Sequence, residues 1–94
     1  MASMFIKHRV ADFGKWKPVF DEHEPARRQA GATAHSVHRD AADPNVVIVT
    51  FHVDDLARAR EFVASEELRA AMERAGVVGP PEFWFTEDVE DKHY

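Results

Sequence analysis

The 94-residue sequence predicts an α+β domain of the ferredoxin-like class, βαββαβ, with a four-stranded antiparallel sheet ordered 4-1-3-2 and both helical layers on one side. Three observations predict it. Four segments carry the two-residue alternation of strands. Helical segments with three- and four-residue apolar steps separate the first from the second and the third from the fourth. A glycine stands where each helical segment must stop.

The first strand is MFIKHRV, Met4 to Val10. Met4, Ile6 and Val10 share one face with His8, and Phe5, Lys7 and Arg9 share the other. Met1-Ala2-Ser3 precedes a second methionine and reads as an appended remnant outside the domain, which is taken as residues 4–94. Asp12 can cap a helix whose stripe is Phe13, Trp16, Phe20, His23, Arg27 and Ala30, and Gly31 is its natural stop. Pro18 fits best in a first turn, so the expectation is a short turn over Phe13 to Trp16 and a main helix from Lys17.

Residues 33–40 and 46–53 flank Ala41-Ala42-Asp43-Pro44-Asn45 and read as a hairpin. Val47, Val49, Phe51 and Val53 form an apolar face for the helices to cover, whereas Val46, Ile48, Thr50 and His52 form a mixed one. Asp54 or Asp55 caps Leu56 to Ala64, Ser65 restarts the helix through Ala75, and Gly76 ends it. Gly79-Pro80-Pro81 forces an extended approach to the last strand, Glu82 to Glu87. The tail from Asp88 to Tyr94 is acidic and expected to be loosely held, with Tyr94 able to dock on a partner chain.

With 45% apolar and 31% charged residues, the chain reads as an ordinary globular protein. No apolar run approaches the roughly 18 residues that span a bilayer, and no charged-then-apolar leader opens the chain, so a cytoplasmic protein with no membrane partner is expected. The absence of cysteine removes disulfides, thiolate metal sites and a Cys nucleophile. A net charge of -5 argues against nucleic acid, whose binding rests on clustered Lys and Arg. The uncovered side of the sheet carries Ile48, either Phe5 or Ile6 according to pleat, and Trp84 or its neighbours Phe83 and Phe85. Such a face is too apolar to leave in water. A second copy of the chain is expected to cover it, making a homodimer that encloses a barrel-like interior.

The stretches HRVADFGKWKPVFDEH, RDAADPNVVIVTFHVDDLARAREF and SEELRAAMERAGVVGPPEFWF resemble small bacterial proteins of the dimeric α+β barrel superfamily, the antibiotic-biosynthesis-monooxygenase-like or "cyclase"-like kind. The resemblance runs from Phe5 to about Glu87. It implies the fold and the dimer, and it implies a range of activities: cofactor-independent monooxygenases, aromatic polyketide cyclases, muconolactone isomerases, haem-degrading enzymes and stress-responsive proteins without an established reaction. The haem-degrading members use an Asn on the first strand, and Met4 to Val10 contains none. No catalytic motif transfers residue by residue.

Six histidines are the strongest chemical signal, because imidazole titrates near neutrality and serves as acid, base or ligand. His8, His35, His38 and His52 fall in predicted strands. His8 and His52 lie late in neighbouring antiparallel strands and so toward opposite ends, on the order of 10 Å apart. With no paired helical spacing to help, no metal site is expected. His52, beside Thr50 and Ile48, should look into the barrel interior as a general acid or base; its bland alternative is a hydrogen-bonded rim histidine. His8 is weighed in the same way, whichever face it joins. A register pairing Arg39 with Val46 would set His35 across from Thr50 on the cavity side. His38 then faces the helices or solvent and reads as structural, and His23 reads as packing against the sheet. Lys7 and Arg9 either hold an anionic substrate or pair with carboxylates at the rim, and pairing is favoured. Arg27-Arg28 and Arg58-Arg60 read as surface partners of Glu61, Glu66 and Glu67.

The sequence thus points to a homodimer binding a small aromatic or polyketide-like molecule, with no cofactor. His52 and His8 would move protons, and Thr50, His35, Trp84 and Arg9 would bind substrate, in a monooxygenation, cyclisation or isomerisation. The rival expectation is a non-catalytic binding or stress-related protein with structural histidines.

Overall fold

Alternation of side chains along each strand sorts the sheet into one face that is buried and one that is not. The computed structural model describes residues 1–94 as β1 (Ala2–Val10), α1 (Phe13–Glu22), α2 (Glu24–Gln29), β2 (Ala32–Arg39), β3 (Val46–Val53), α3 (Leu56–Val63), α4 (Glu66–Arg74) and β4 (Val77–Glu87). The strands form one antiparallel sheet in the order β2-β3-β1-β4, which is the ferredoxin-like order expected. Met4, Ile6 and Val10 of β1 and Val47, Val49, Phe51 and Val53 of β3 make the core with Trp16 of α1, Ala59 of α3 and Ala75, and His8 is buried on the same face of β1. No helix is long and apolar enough to cross a membrane.

Caps and glycines set the helix limits. Asp12 accepts from Gly14 N–H, Asp55 from Ala57 and Arg58 N–H, and Ser65 from Leu68 N–H. Gly31 and Gly76, at φ 103° and 82°, take the left-handed conformation that ends α2 and α4. The break in the first helical region differs from expectation. Pro18 lies inside a continuous α1, and the chain instead leaves the helix at His23 (φ -86°, ψ 1°), just before Glu24-Pro25 opens α2. Pro25 lacks the N–H that would bond to Asp21 in a continuous helix, and its ring disfavours helical backbone at Glu24.

Three strand limits also differ. β1 begins at Ala2, so the fold includes residues before Met4: Ser3 is 3% exposed and its hydroxyl donates to Asp88 at 2.6 Å. β4 begins at Val77 and takes in Gly79-Pro80-Pro81 as an irregularity, since Lys7 pairs with Glu82 while Arg9 pairs with Val78. Edge position makes the prolines tolerable there, because no further strand needs their missing N–H. In the hairpin, Asp40 rather than Arg39 meets Val46: Asp40 N–H donates to Val46 O, and the Asp40 carboxylate accepts from Ala42 and Asp43 N–H. Arg39 therefore pairs with Val47, and a one-residue slip turns the β2 side chains from Ala34 to Arg39 to the opposite face, up to the bulge between Ala32 and Ala34.

Candidate functional site

The helices and the sheet do not close completely on each other. Between them lies a cavity of about 60 Å³, with Met4, Ile6 and Phe51 on its sheet side and Trp16, Phe20 and Met72 on its helix side. Only three of its lining side chains are strongly polar: His8, His23 and Arg27. A space of this size admits a few waters, whereas a cavity that takes up benzene measures about 150 Å³. A half-buried lining side chain must therefore swing aside before a ring can enter, and Met72 is the one best able to do so.

His8 is 6% exposed, and neither ring nitrogen has a hydrogen-bond partner. Its ring lies 5.6 Å from that of Trp16. Burial in this apolar setting lowers its pKa to about 4, so near neutral pH it is an uncharged imidazole with one donor and one acceptor. An unpaired buried polar group costs about 1–3 kcal/mol. Arg27 is 5% exposed. Its Nη1 donates to Phe20 O at 2.7 Å and its guanidinium carbon sits 3.7 Å over the Phe20 ring, but Nε and Nη2 have no partner. Burial lowers its pKa while Glu24 and Asp21 raise it; a guanidinium so placed keeps its charge. His23 stacks on Phe62 at 5.9 Å and brings Nε2 to 3.4 Å from Glu67 Oε1.

Arg27 is thus not the surface-pair residue expected of it. Its signal in the sequence was its place on the stripe with Trp16, Phe20 and His23, which carries a charge inward because the rest of that face packs on the sheet. Around it the stripe forms a column of rings: Trp16 and Phe20 stack at 4.7 Å, and Phe13 lies 5.6 Å from Trp16.

The histidines expected to act together stand on opposite faces. His8 pairs with Val47 and so faces the helices, while His52 pairs with Ser3 on the open face, because residues directly opposite in an antiparallel ladder share a side. His52 is exposed, with Nδ1 3.5 Å from Ser3 Oγ and 3.9 Å from Asp88 Oδ2. Thr50 and Trp84 flank Phe5 from either side on that same face, and Trp84 is 45% exposed. Arg9 lies at the rim and pairs with Asp43 at 2.7 Å, as favoured over substrate contact. His35 corrects the expected register: it pairs with Phe51, faces the helices and sits edge-on to Phe20 at 5.1 Å. His38 pairs with Ile48 on the open face, where it is exposed. No three His, Asp or Glu side chains gather as a metal ion would require.

A four-stranded antiparallel sheet, four helices on one face and a cavity beneath them define a ferredoxin-like α+β protein. No family profile and no curated protein sequence matches the chain. Among solved structures, the chain is similar to an antibiotic biosynthesis monooxygenase, with TM-score 0.70 and 16% identity over 96% of this chain and 100% of the other. It is similar to SnoaB, a cofactor-independent oxygenase from Streptomyces nogalater, with TM-score 0.74 and 15% identity over 96% of this chain and 94% of the other. Rv0793 from Mycobacterium tuberculosis superposes with TM-score 0.70 at 8% identity, covering 98% of each chain. The chain therefore has the fold found in antibiotic biosynthesis monooxygenases, as the sequence resemblance implied.

Proposed function

We infer that the cavity between sheet and helices is the substrate site of a cofactor-independent oxygenase acting on an aromatic or polyketide-like molecule, and that His8 is its proton acceptor. The observation that carries the reading is a neutral, unpartnered imidazole on the wall of an otherwise apolar, aromatic-lined cavity. Ligand pockets are built in this way, with few polar groups on apolar walls. The likeness to SnoaB supports the reaction type.

With a pKa of about 4 His8 is unprotonated across the neutral range, and because transfer from a phenol to so weak a base is uphill, the step needs the developing anion to be stabilised where it forms. Abstraction of a phenolic proton leaves an electron-rich ring that can reduce dioxygen directly. One oxygen atom enters the ring as a carbonyl, the other leaves as water, and the substrate supplies all the electrons. The apolar walls keep bulk water from the intermediate. His52, Thr50, Trp84 and Arg9 lie across the sheet, so the reading assigns them to the contact between two copies of the chain.

The test is oxygen uptake with dihydroxynaphthalene. Wild type should consume one dioxygen per hydroxynaphthoquinone formed and release no peroxide, and His8→Gln should lower kcat by about 100-fold or more, within the range general-base removal costs. His52→Gln should turn over like wild type. Full activity in His8→Gln would sink the assignment of the base. Ligand binding without turnover in wild type would support the rival, a non-catalytic binding protein.

A further inference from the structure

We propose that the ligand carries a carboxylate or comparably acidic oxygen pair, held two-pronged by Nε and Nη2 of Arg27. The proposal rests on the cavity being the binding site and names the class of molecule that fits it. Three features of Arg27 support it. It is 5% exposed and lines the cavity, so its charge is not there for solvent. Its one hydrogen bond, Nη1 to Phe20 O, anchors the far side of the guanidinium. The two nitrogens left unpartnered, Nε and Nη2, are neighbours on one edge of the plane, the edge that offers parallel N–H donors matching the two oxygens of a carboxylate.

No carboxylate of the chain is bonded to this edge. Glu24 and Asp21 act on Arg27 only as nearby charges, and neither makes an ion pair with it, although Asp21 is bound by Lys17 at 2.7 Å. A buried cation without a bonded anion is strongly unfavourable. Stacking on Phe20 at 3.7 Å offsets part of that, and it fixes the plane, so the donor edge is oriented before any ligand arrives.

The positions of Arg27 and His8 also set the ligand's length. Arg27 lies 6.0 Å from the Phe51 ring, and Phe51 pairs with Met4, four residues along β1 from His8. His8 lies 5.6 Å from Trp16, Trp16 4.7 Å from Phe20 and Arg27 3.7 Å from Phe20, so the two polar ends of the cavity stand no more than about 14 Å apart. That span suits an elongated, at least bicyclic aromatic acid, with its acidic end at Arg27 and its reacting end at His8.

Calorimetric titration of the full-length protein with naphthoate and with its neutral amide, naphthamide, tests this. Wild type should bind naphthoate at least tenfold more tightly than the amide. Arg27→Met should lose at least tenfold in naphthoate affinity while holding the amide as well as wild type does, and Arg27→Lys should fall between, keeping charge but not the paired donors. Without ligand, Arg27→Met should melt no lower than wild type, since an uncompensated buried charge has been replaced by an apolar chain of similar length. Equal affinity of wild type for acid and amide overturns the acid assignment and leaves the cavity reading standing; binding of neither overturns both. If Arg27→Met does not fold, its role is structural, and the proposal then fails unless wild type still prefers the acid and Arg27→Lys reduces that preference.

Discussion

His8 shows how a single side chain can be read for both stability and chemistry. With a pKa near 4 in the folded chain and about 6.5 in the unfolded one, it takes up a proton in the unfolded state first as pH falls. Its contribution to stability is therefore complete above about pH 6.5, declines as pH drops, and levels off below about pH 4. The loss at this residue alone should reach about 2 kcal/mol on going from about pH 7.5 to about pH 5. Urea midpoints of wild type and His8→Leu at those two pH values check it: the variant should lose less stability by about that amount. Equal losses would mean that His8 is solvated in the folded protein and is no poised base. The same imidazole should hold turnover flat through neutrality, with decline confined to the acid limb.

At the scale of elements, the turn from α2 into β2 places Arg27 over the cavity. Gly31 adopts φ 103°, and a Cβ there would stand 2.1 Å from Asp54 Oδ1. Its carbonyl accepts from Asp54 N–H at 3.0 Å, tying the end of α2 to the end of β3. Gly31→Ala should cost about 1–3 kcal/mol, the range for a residue held in a disfavoured conformation, measured as a lower urea midpoint with unchanged slope; a midpoint within error of wild type would show that the turn is not constrained. Glycine stops, Asp and Ser caps and strand alternation were all legible in the sequence, because each acts through neighbouring residues. What was not legible depended on distant ones. The His35 face turned on whether Arg39 or Asp40 met Val46, a matter of one loop hydrogen bond. The helix break went to Pro25 rather than Pro18, and the residues beside two prolines do not by themselves say which of them ends a helix. The burial of Arg27 required knowing that its stripe meets the sheet along its whole length, and the separation of His8 from His52 required the β1–β3 register.

At the scale of the molecule, the exposed sheet face remains to be accounted for. Phe5 stands between Thr50 and Trp84, and Ile48 is opposite Lys7, so an apolar centre of Phe5, Ile48 and Trp84 is bordered by Lys7, Glu82, Arg9 and His52. The surface of 6191 Å² compares with about 5500 Å² for a folded monomer of this mass. The exposed tail beyond Asp88 accounts for part of the excess. A standard interface takes roughly 800 Å² from each partner. An apolar centre with a charged rim is the anatomy of a protein contact, and a two-fold pairing of this face would cover it with the same residues from a second copy. Sedimentation at micromolar concentration should give twice the 10.7 kDa chain mass. Ile48→Lys should weaken the dimer by about 30-fold or more, equivalent to about 2 kcal/mol or more for a residue at an interface centre, because each copy would bury a second cation beside Lys7, directly opposite it on β1. Its far-ultraviolet circular dichroism should not change, since Ile48 lies outside the core beneath the helices. A wild-type monomer at that concentration would remove the dimer. A variant dimer of undiminished strength would move the interface elsewhere, leaving the Phe5–Ile48–Trp84 face for some other apolar partner.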